Sequence, residues 1–228
     1  MPKILDLNAI KQVAFNDYYK EVTQKNQIYL HGTAGSASAP ATWNWWAIDQ
    51  QGPIATCVVI AGKPDATNQW KDGEIWQGFS SKYWAWHLGV QQYWFQTFGL
   101  PYRNIDKFSI AVEICNWGYL DLMPDGTFRN GYGQILKLKD NEIAYYPNGF
   151  KGKQYYQAYT AAQIDSVEAL LRYWNQYWGI PIKYRKEIWD IDREAFAGTP
   201  GVYTHNSIRK DKSDIHPQPE MIRMLESL

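Results

Sequence analysis

FSIAVEICNW, residues 108–117, is the stretch on which the reading of the fold turns. Its run from Ser109 to Cys115 has the composition of a buried strand, interrupted by a single carboxylate, Glu113. Strand alternation puts Ile110, Val112 and Ile114 on one face and Ala111, Glu113 and Cys115 on the other. Burying a lone carboxylate costs several kcal/mol. Glu113 therefore either faces water or has a partner or a task. Its two small neighbours, Ala111 and Cys115, suit the floor of a cleft as readily as a wet surface.

Further strands read outward from this one. NQIYLHGTAGS (26–36) has a short buried strand at Ile28–Leu30 that ends at His31, before a small-residue loop. ATCVVIAGK (55–63) is strongly β-branched, and DGEIWQG (72–78) opens on an Asp-Gly turn. SSKYWAWHLGV (80–90) leads into a loop carrying His87. Between 118 and 158 the turn signals MPDG, RNGYG, KDNE and YPNG separate short alternating runs, which predicts inserted β-hairpins.

Helical spacing appears in three places. Ile10, Val13, Ala14 and Tyr18 predict a helix over 6–22, an N-terminal helical extension within residues 1–26. ATWNWWAIDQ (41–50) predicts a second, capped by Thr42. The clearest is YTAAQIDSVEALLRYWNQYWGIP (159–181). Thr160 and Gln163 form its capping box, Ile164, Val167, Leu170, Leu171, Trp174 and Trp178 its apolar face, and Gly179 and Pro181 its stop. Residues 202–217 read as a loop, followed by a short helix from Pro219. The expected architecture is one α/β domain over 1–228, with a central mixed sheet flanked by helices and a hairpin region at 118–158.

Composition narrows the function. The chain has 228 residues, a formal net charge of zero and a pI near 6.9. It announces no basic face, so nucleic acid is not the expected partner. No apolar run of about 20 residues predicts a membrane span. The N-terminus lacks the apolar core and cleavage site of a signal peptide, so synthesis in the cytoplasm is expected; a monomer is the expected state. Cys57 and Cys115 sit in apolar runs and read as buried free thiols. Twelve tryptophans and seventeen tyrosines exceed what a core of this size needs. Exposed rings stack on sugar faces, which hints at a substrate containing glycan.

The four histidines are His31, His87, His205 and His216. His31 closes a strand, and His205 opens a loop that carries Asp214 nine residues on. Two neutral imidazoles and a carboxylate can bind Zn²⁺ and leave a fourth tetrahedral position free, the pattern of a catalytic site. The same residues also fit a structural strand-end histidine and a solvated loop charge.

The order of these segments carries a resemblance. IYLHGTAG, TCVVIAG, WHLG, SIAVEI after an Asn, YTAAQIDSVEALL and a final strand leading to His205 and KSD follow one another. Together they are similar to the zinc-dependent type 2 N-acetylmuramoyl-L-alanine amidases, the family that includes phage lysozyme-type amidases and peptidoglycan recognition proteins. The likeness runs from about 27 to 220, with 118–158 as an enlarged insertion. It implies zinc held by His31, His205 and Asp214, with Glu113 as acid/base and Lys212 beside the oxyanion. The implied reaction is hydrolysis of the amide between N-acetylmuramic acid and L-alanine in peptidoglycan. His87, Trp86 and Trp45 are candidates to contact substrate, and Trp46 and Trp84 further candidate walls.

Two departures from the family pattern matter. Ala55-Thr56-Cys57-Val58 stands where some members carry a catalytic tyrosine or histidine, so more weight falls on Glu113. Asp214-Ile215-His216-Pro217 replaces the usual Asp-Pro-Gly, which makes His216 an alternate ligand or a nearby donor. The register from Lys212 favours Asp214. Two other functions fit the same residues: a peptidoglycan-binding module without catalysis, and a zinc amidohydrolase acting on another amide. The implied setting is either a phage lysin on the cell wall or a cytoplasmic enzyme acting on recycled muropeptides.

Overall fold

A computed structural model describes residues 3–228 apart from 66 and 68. Among them, eleven strands form two sheets. The main sheet contains β1 (Lys11–Gln12), β2 (Gln27–Gly32), β3 (Val58–Ile60), β4 (Ile75–Gln77), β5 (Ser109–Ile114) and β11 (Gly201–Thr204), in the order β1-β4-β3-β5-β2-β11. β3, β5, β2 and β11 run parallel to one another, and β4 lies antiparallel to β3. Parallel strands covered on both faces must be apolar throughout, and Ile28, Leu30, Val59, Val112 and Ile114 have no exposed surface.

The covering helices are α1 (Ala39–Ile48), α2 (Gln92–Gln96), α3 (Ala161–Trp178), α4 (Arg193–Ala197) and α5 (Pro219–Glu226). α3 starts at the Thr160–Gln163 capping box and ends at Gly179, whose φ of 70° is the left-handed conformation glycine adopts freely. Ile164, Val167, Leu170, Leu171 and Trp174 are buried along one side of it. Each such burial stabilises by about 1.5–3 kcal/mol.

The second sheet is antiparallel, in the order β8-β7-β6-β10-β9. It comprises β6 (Tyr119–Leu122), β7 (Phe128–Asn130), β8 (Ile135–Leu136), β9 (Ile143–Phe150) and β10 (Lys153–Gln157). The turn signals between 118 and 158 thus separate strands of one sheet. Gln157 couples it to the end of β5: its side-chain oxygen accepts from Trp117 N–H (2.8 Å) and its carbonyl from Asn116 Nδ2 (2.9 Å).

Two local expectations are corrected. The helix over 6–22 does not form; a single 3-10 turn at Leu7–Ala9 and strand β1 take its place. The backbone donors there pair outward, Val13 N–H with Gln77 O (2.9 Å), Tyr19 N–H with Trp84 O (2.8 Å) and Thr23 N–H with Lys82 O (3.0 Å). Phe15 meanwhile packs between Trp43 and Phe79. Covering an open sheet edge satisfies these groups as a helix would, and it also buries the aromatic ring. The second correction concerns α1, which begins earlier than expected. Ser38 caps it by accepting from Ala41 N–H (3.1 Å), and Thr42 lies inside the helix.

Candidate metal centre and active site

Parallel strands present their carboxyl ends on one side of a sheet, where loops gather and ligands bind. Three adjacent strands put the candidate residues there. β2 ends in His31-Gly32, and in the parallel register His31 lies opposite Glu113 of β5. On the other side Thr204 of β11 lies opposite Leu30, so His205, the next residue, comes level with His31. A single sheet edge therefore gathers residues that are far apart in sequence.

His31 Nδ1 is 3.1 Å from His205 Nδ1, and Asp214 Oδ2 is 3.2 Å from His205 Nδ1 and 3.9 Å from His31 Nδ1. Bonds of about 2.0–2.1 Å to a tetrahedral zinc place ligand atoms about 3.3 Å apart. The loop bearing Asp214 is pressed against β2. Gly32 N–H donates to Asp214 Oδ2 (3.3 Å), and a Cβ on Gly32 would stand 2.0 Å from the Asp214 carbonyl oxygen. Only glycine allows that approach.

The hydrogen-bond network assigns the protons. His205 Nε2 faces the carbonyl of Leu88 (3.2 Å), which can only accept, so Nε2 carries a hydrogen and Nδ1 is the nitrogen turned to Asp214 and His31. A longer relay settles His31. The Ser109 hydroxyl donates to the Asp106 carbonyl (3.3 Å) and accepts from His87 Nε2–H (2.8 Å). His87 Nδ1 is then an acceptor and takes the hydrogen of His31 Nε2 (3.1 Å). His31 Nδ1 is likewise the nitrogen turned to the cluster. Burial, with the neighbouring His205, holds both His31 and His87 well below the usual imidazole range, so both are neutral.

Asp214 is ionised. Burial alone would push its carboxyl up, but His205 and His31 outweigh this and hold it well below the usual carboxylate range. Three possible ligand atoms thus converge at 3.1–3.9 Å from one another. Asp214 Oδ1 is also buried without a hydrogen-bond partner. Such a cluster is stable around a cation, and the donor set fits a metal ion.

Glu113 and Lys212 line the same cavity, of about 340 Å³, as His31, His205 and Asp214. Glu113 has no hydrogen-bond partner among the described residues, and burial, with the nearby Asp214, raises its carboxyl well above the usual range against the opposing pull of Lys212. The Lys212 ammonium has no ion pair among the described residues. Trp86 is on the wall, its Nε1–H donating to Tyr19 Oη (3.1 Å). Trp45 and Trp46 line an adjoining cleft, whereas Trp84 is buried against Tyr19.

His87 borders the cavity, yet both of its ring nitrogens are engaged inside the protein, with His31 and Ser109. Its place is behind His31, a candidate ligand. Outer partners of this kind are worth about 10–100-fold in metal affinity. His87→Ala is expected to weaken metal binding by that factor, measured by competition with a chromogenic chelator, and unchanged affinity would remove the relay from the site.

His216 is not in the cluster. It is fully buried, Nε2–H donating to Gln157 O (3.0 Å) and Nδ1 accepting from Tyr146 Oη–H (2.7 Å), with its ring stacked on Tyr159 at 4.5 Å. It ties the Asp214 loop to the second sheet. The sequence reading missed Asp106, whose carboxylate accepts from His87 N–H (2.7 Å) and Leu88 N–H (2.8 Å) and so holds this loop under both histidines. No local pattern marks such a residue; a carboxylate in Asn-Ile-Asp-Lys looks like a surface turn.

Comparisons with known proteins place the fold and the family. Among curated proteins none matches the chain. Among solved structures, a selenomethionine derivative of AmpD aligns with a TM-score of 0.54 at 16% identity, covering 96% of this chain and 95% of that one. AmpDh3 from Pseudomonas aeruginosa, in complex with an anhydromuramic pentapeptide, aligns with a TM-score of 0.51 at 17% identity, covering 96% and 65%. Staphylococcus aureus hydrolase AmiA aligns at 0.50 with 14% identity, covering 97% and 83%. At these identities the likeness establishes the fold. The family model described as N-acetylmuramoyl-L-alanine amidase matches residues 22–219, and the chain belongs to that family.

Proposed function

We propose that this protein is a zinc enzyme that hydrolyses the amide bond between the lactyl group of N-acetylmuramic acid and L-alanine. The observation that carries the reading is the convergence of three possible metal ligands, His31 Nδ1, His205 Nδ1 and Asp214 Oδ2, beside an unpartnered Glu113. Bound by these three, zinc supplies Lewis acidity toward a carbonyl oxygen and lowers the pKa of a water to about 7.

The protein's own groups account for the remaining steps. Glu113 takes a proton from the attacking water onto a carboxylate oxygen. It then gives that proton to the nitrogen of L-alanine as the C–N bond breaks and the new C–O bond is kept. The products are a lactyl carboxylate and a free peptide amine. A carboxylate whose proton affinity is raised by burial suits both halves of this task. Lys212 offers an unpaired ammonium to the oxygen that becomes negative during attack. The relay through His87 and Ser109 keeps His31 in the tautomer that presents Nδ1.

Mass spectrometry of digested muropeptides tests this directly. The expected result is a stem peptide with a free L-alanine amine and a saccharide ending in a lactyl carboxylate. Intact muropeptides, or cleavage at another bond, would overturn it. A kinetic test isolates Lys212. An oxyanion contact strengthens as charge develops, so Lys212→Met is expected to lower kcat by about 10²–10³-fold with little change in KM. Lys210, exposed in the same loop, is the control, and equal kinetics for Lys210→Met and Lys212→Met would remove Lys212 from the mechanism.

A further inference from the structure

Both candidate histidine ligands lean on one short loop, His87-Leu88-Gly89. His87 Nδ1 lies 3.1 Å from His31 Nε2, and the Leu88 carbonyl accepts from His205 Nε2–H (3.2 Å). Asp106 holds this loop from beneath, through the N–H groups of His87 and Leu88. Its other side is held by Arg209, a residue with no part in the proposed chemistry and no place on the wall of the metal cavity.

Arg209 Nη1 donates to the carbonyls of Gly89 (3.0 Å) and Leu88 (3.4 Å). Leu88 O therefore accepts twice, from His205 and from Arg209, which uses both of its lone pairs. The approach requires glycine. A Cβ on Gly89 would stand 2.7 Å from Nη1, and the φ of 61° there is left-handed. Asp211 locks the rest of the guanidinium: Nε donates to Oδ1 (2.7 Å) and Nη2 to Oδ2 (2.5 Å), a bidentate fork. That pairing holds the Asp211 carboxyl down at about 2, so the fork is intact at neutral pH.

The backbone of Arg209 joins two parts of the site. Its N–H donates to His205 O (3.0 Å), and its carbonyl accepts from Lys212 N–H (3.2 Å). Asp214 follows two residues after Lys212. One side chain fixed to Leu88-Gly89 thus sets a turn that carries a candidate ligand at one end and the candidate oxyanion contact at the other. An exposed Arg–Asp pair alone contributes little to stability. This one differs because the guanidinium also holds two carbonyls of a loop that supports both histidines. An ammonium lacks the planar fork needed to keep two carbonyls and a carboxylate in one arrangement, so lysine is no substitute.

We propose that Arg209 is a positioning residue: it clamps the Leu88-Gly89 carbonyls to the loop of residues 205–214, and so fixes His205 toward the metal and Lys212 toward the cavity. The proposal rests on the metal site of the amidase reading and not on the identity of the bond cleaved. It makes metal affinity and turnover depend on a side chain that touches neither metal nor substrate.

The test measures zinc affinity by chelator competition, the visible absorption spectrum of the Co²⁺-loaded protein, which reports ligand geometry, and kcat and KM at saturating zinc. Arg209→Met is expected to weaken zinc binding by about 10–100-fold, as for loss of an outer partner, and to shift the Co²⁺ spectrum. It should also lower kcat by about 10–100-fold with little change in KM, through misplacement of Lys212. Arg209→Lys should not rescue these losses, and Asp211→Ala should show smaller changes in the same direction. Arg223→Met, which removes an exposed arginine paired with Glu220 on α5, is the control and should match wild type. Unchanged zinc affinity and Co²⁺ spectrum in Arg209→Met, even with a lower Tm, would overturn the proposal, as would full zinc affinity in Arg209→Lys. Should Arg209→Met fail to fold, Asp211→Ala decides by the same two readouts: altered values support the clamp and wild-type values overturn it. A wild-type protein that takes up no zinc would overturn the metal reading and the clamp together. Zinc uptake without cleavage of muropeptides would overturn the amidase reading alone, and the zinc and Co²⁺ measurements would still judge the clamp.

Discussion

Replacing Glu113 by Gln is expected to leave metal content and thermal stability at the wild-type level and to lower kcat by about 10²–10⁴-fold, the span of a lost general acid/base. The substitution is nearly isosteric. It removes a carboxyl group that burial already disfavours as an anion, so the fold loses nothing by it. Glu113 sits opposite His31 in the parallel register, within the cavity but outside the three-acceptor cluster. Metal analysis and circular dichroism alongside the kinetics separate the outcomes. Loss of metal in proportion to activity would make Glu113 a ligand or a support for one, and the acid/base assignment would fall.

Removing a ligand has the opposite signature. His31→Ala and Asp214→Ala are each expected to abolish stoichiometric metal binding and activity together. In the wild-type protein, chelation should reproduce the loss and also lower thermal stability. A ligand that binds only the folded state stabilises it by about 4 kcal/mol when free at 1,000 times its Kd. At about 2–4 °C per kcal/mol for a chain of this size, chelation would lower Tm by about 8–16 °C. The physical cause is linkage: the metal binds His31 Nδ1, His205 Nδ1 and Asp214 Oδ2 only where the fold brings them together. His216→Ala is the discriminating control. It should destabilise the joint with the second sheet, through Tyr146 and Gln157, while retaining metal. Full metal in Asp214→Ala combined with loss in His216→Ala would reverse the assignment of the third ligand.

Much of this site was legible in residue order. α3 was readable from end to end because its determinants are local: the Thr160–Gln163 box, the apolar stripe and Gly179 act within a few residues of one another. The strand ending at His31 and the strand holding Glu113 were readable because β-branched runs bounded by turns have few other solutions. The metal donors were readable as residue types in the order of the family.

Other features depended on partners that no local pattern names. Ile10, Val13, Ala14 and Tyr18 have helical spacing, yet their segment is extended, because the edge at β4 and the chain near Trp84 satisfied its backbone and Phe15 gained a packed site. His87 had the appearance of a substrate contact until its two nitrogens were found engaged with His31 and Ser109. Tyr132 read as one residue of a glycine-rich turn, and only the placement of the second sheet brings it to the cleft beside α1. The sequence by itself determined the elements with local signals and the chemical identity of the donors. The tertiary structure alone decided which nitrogen of each histidine faces the cluster, which acid faces the cavity and which aromatic rings wall it, because those follow from hydrogen-bond acceptors and strand register contributed by distant parts of the chain.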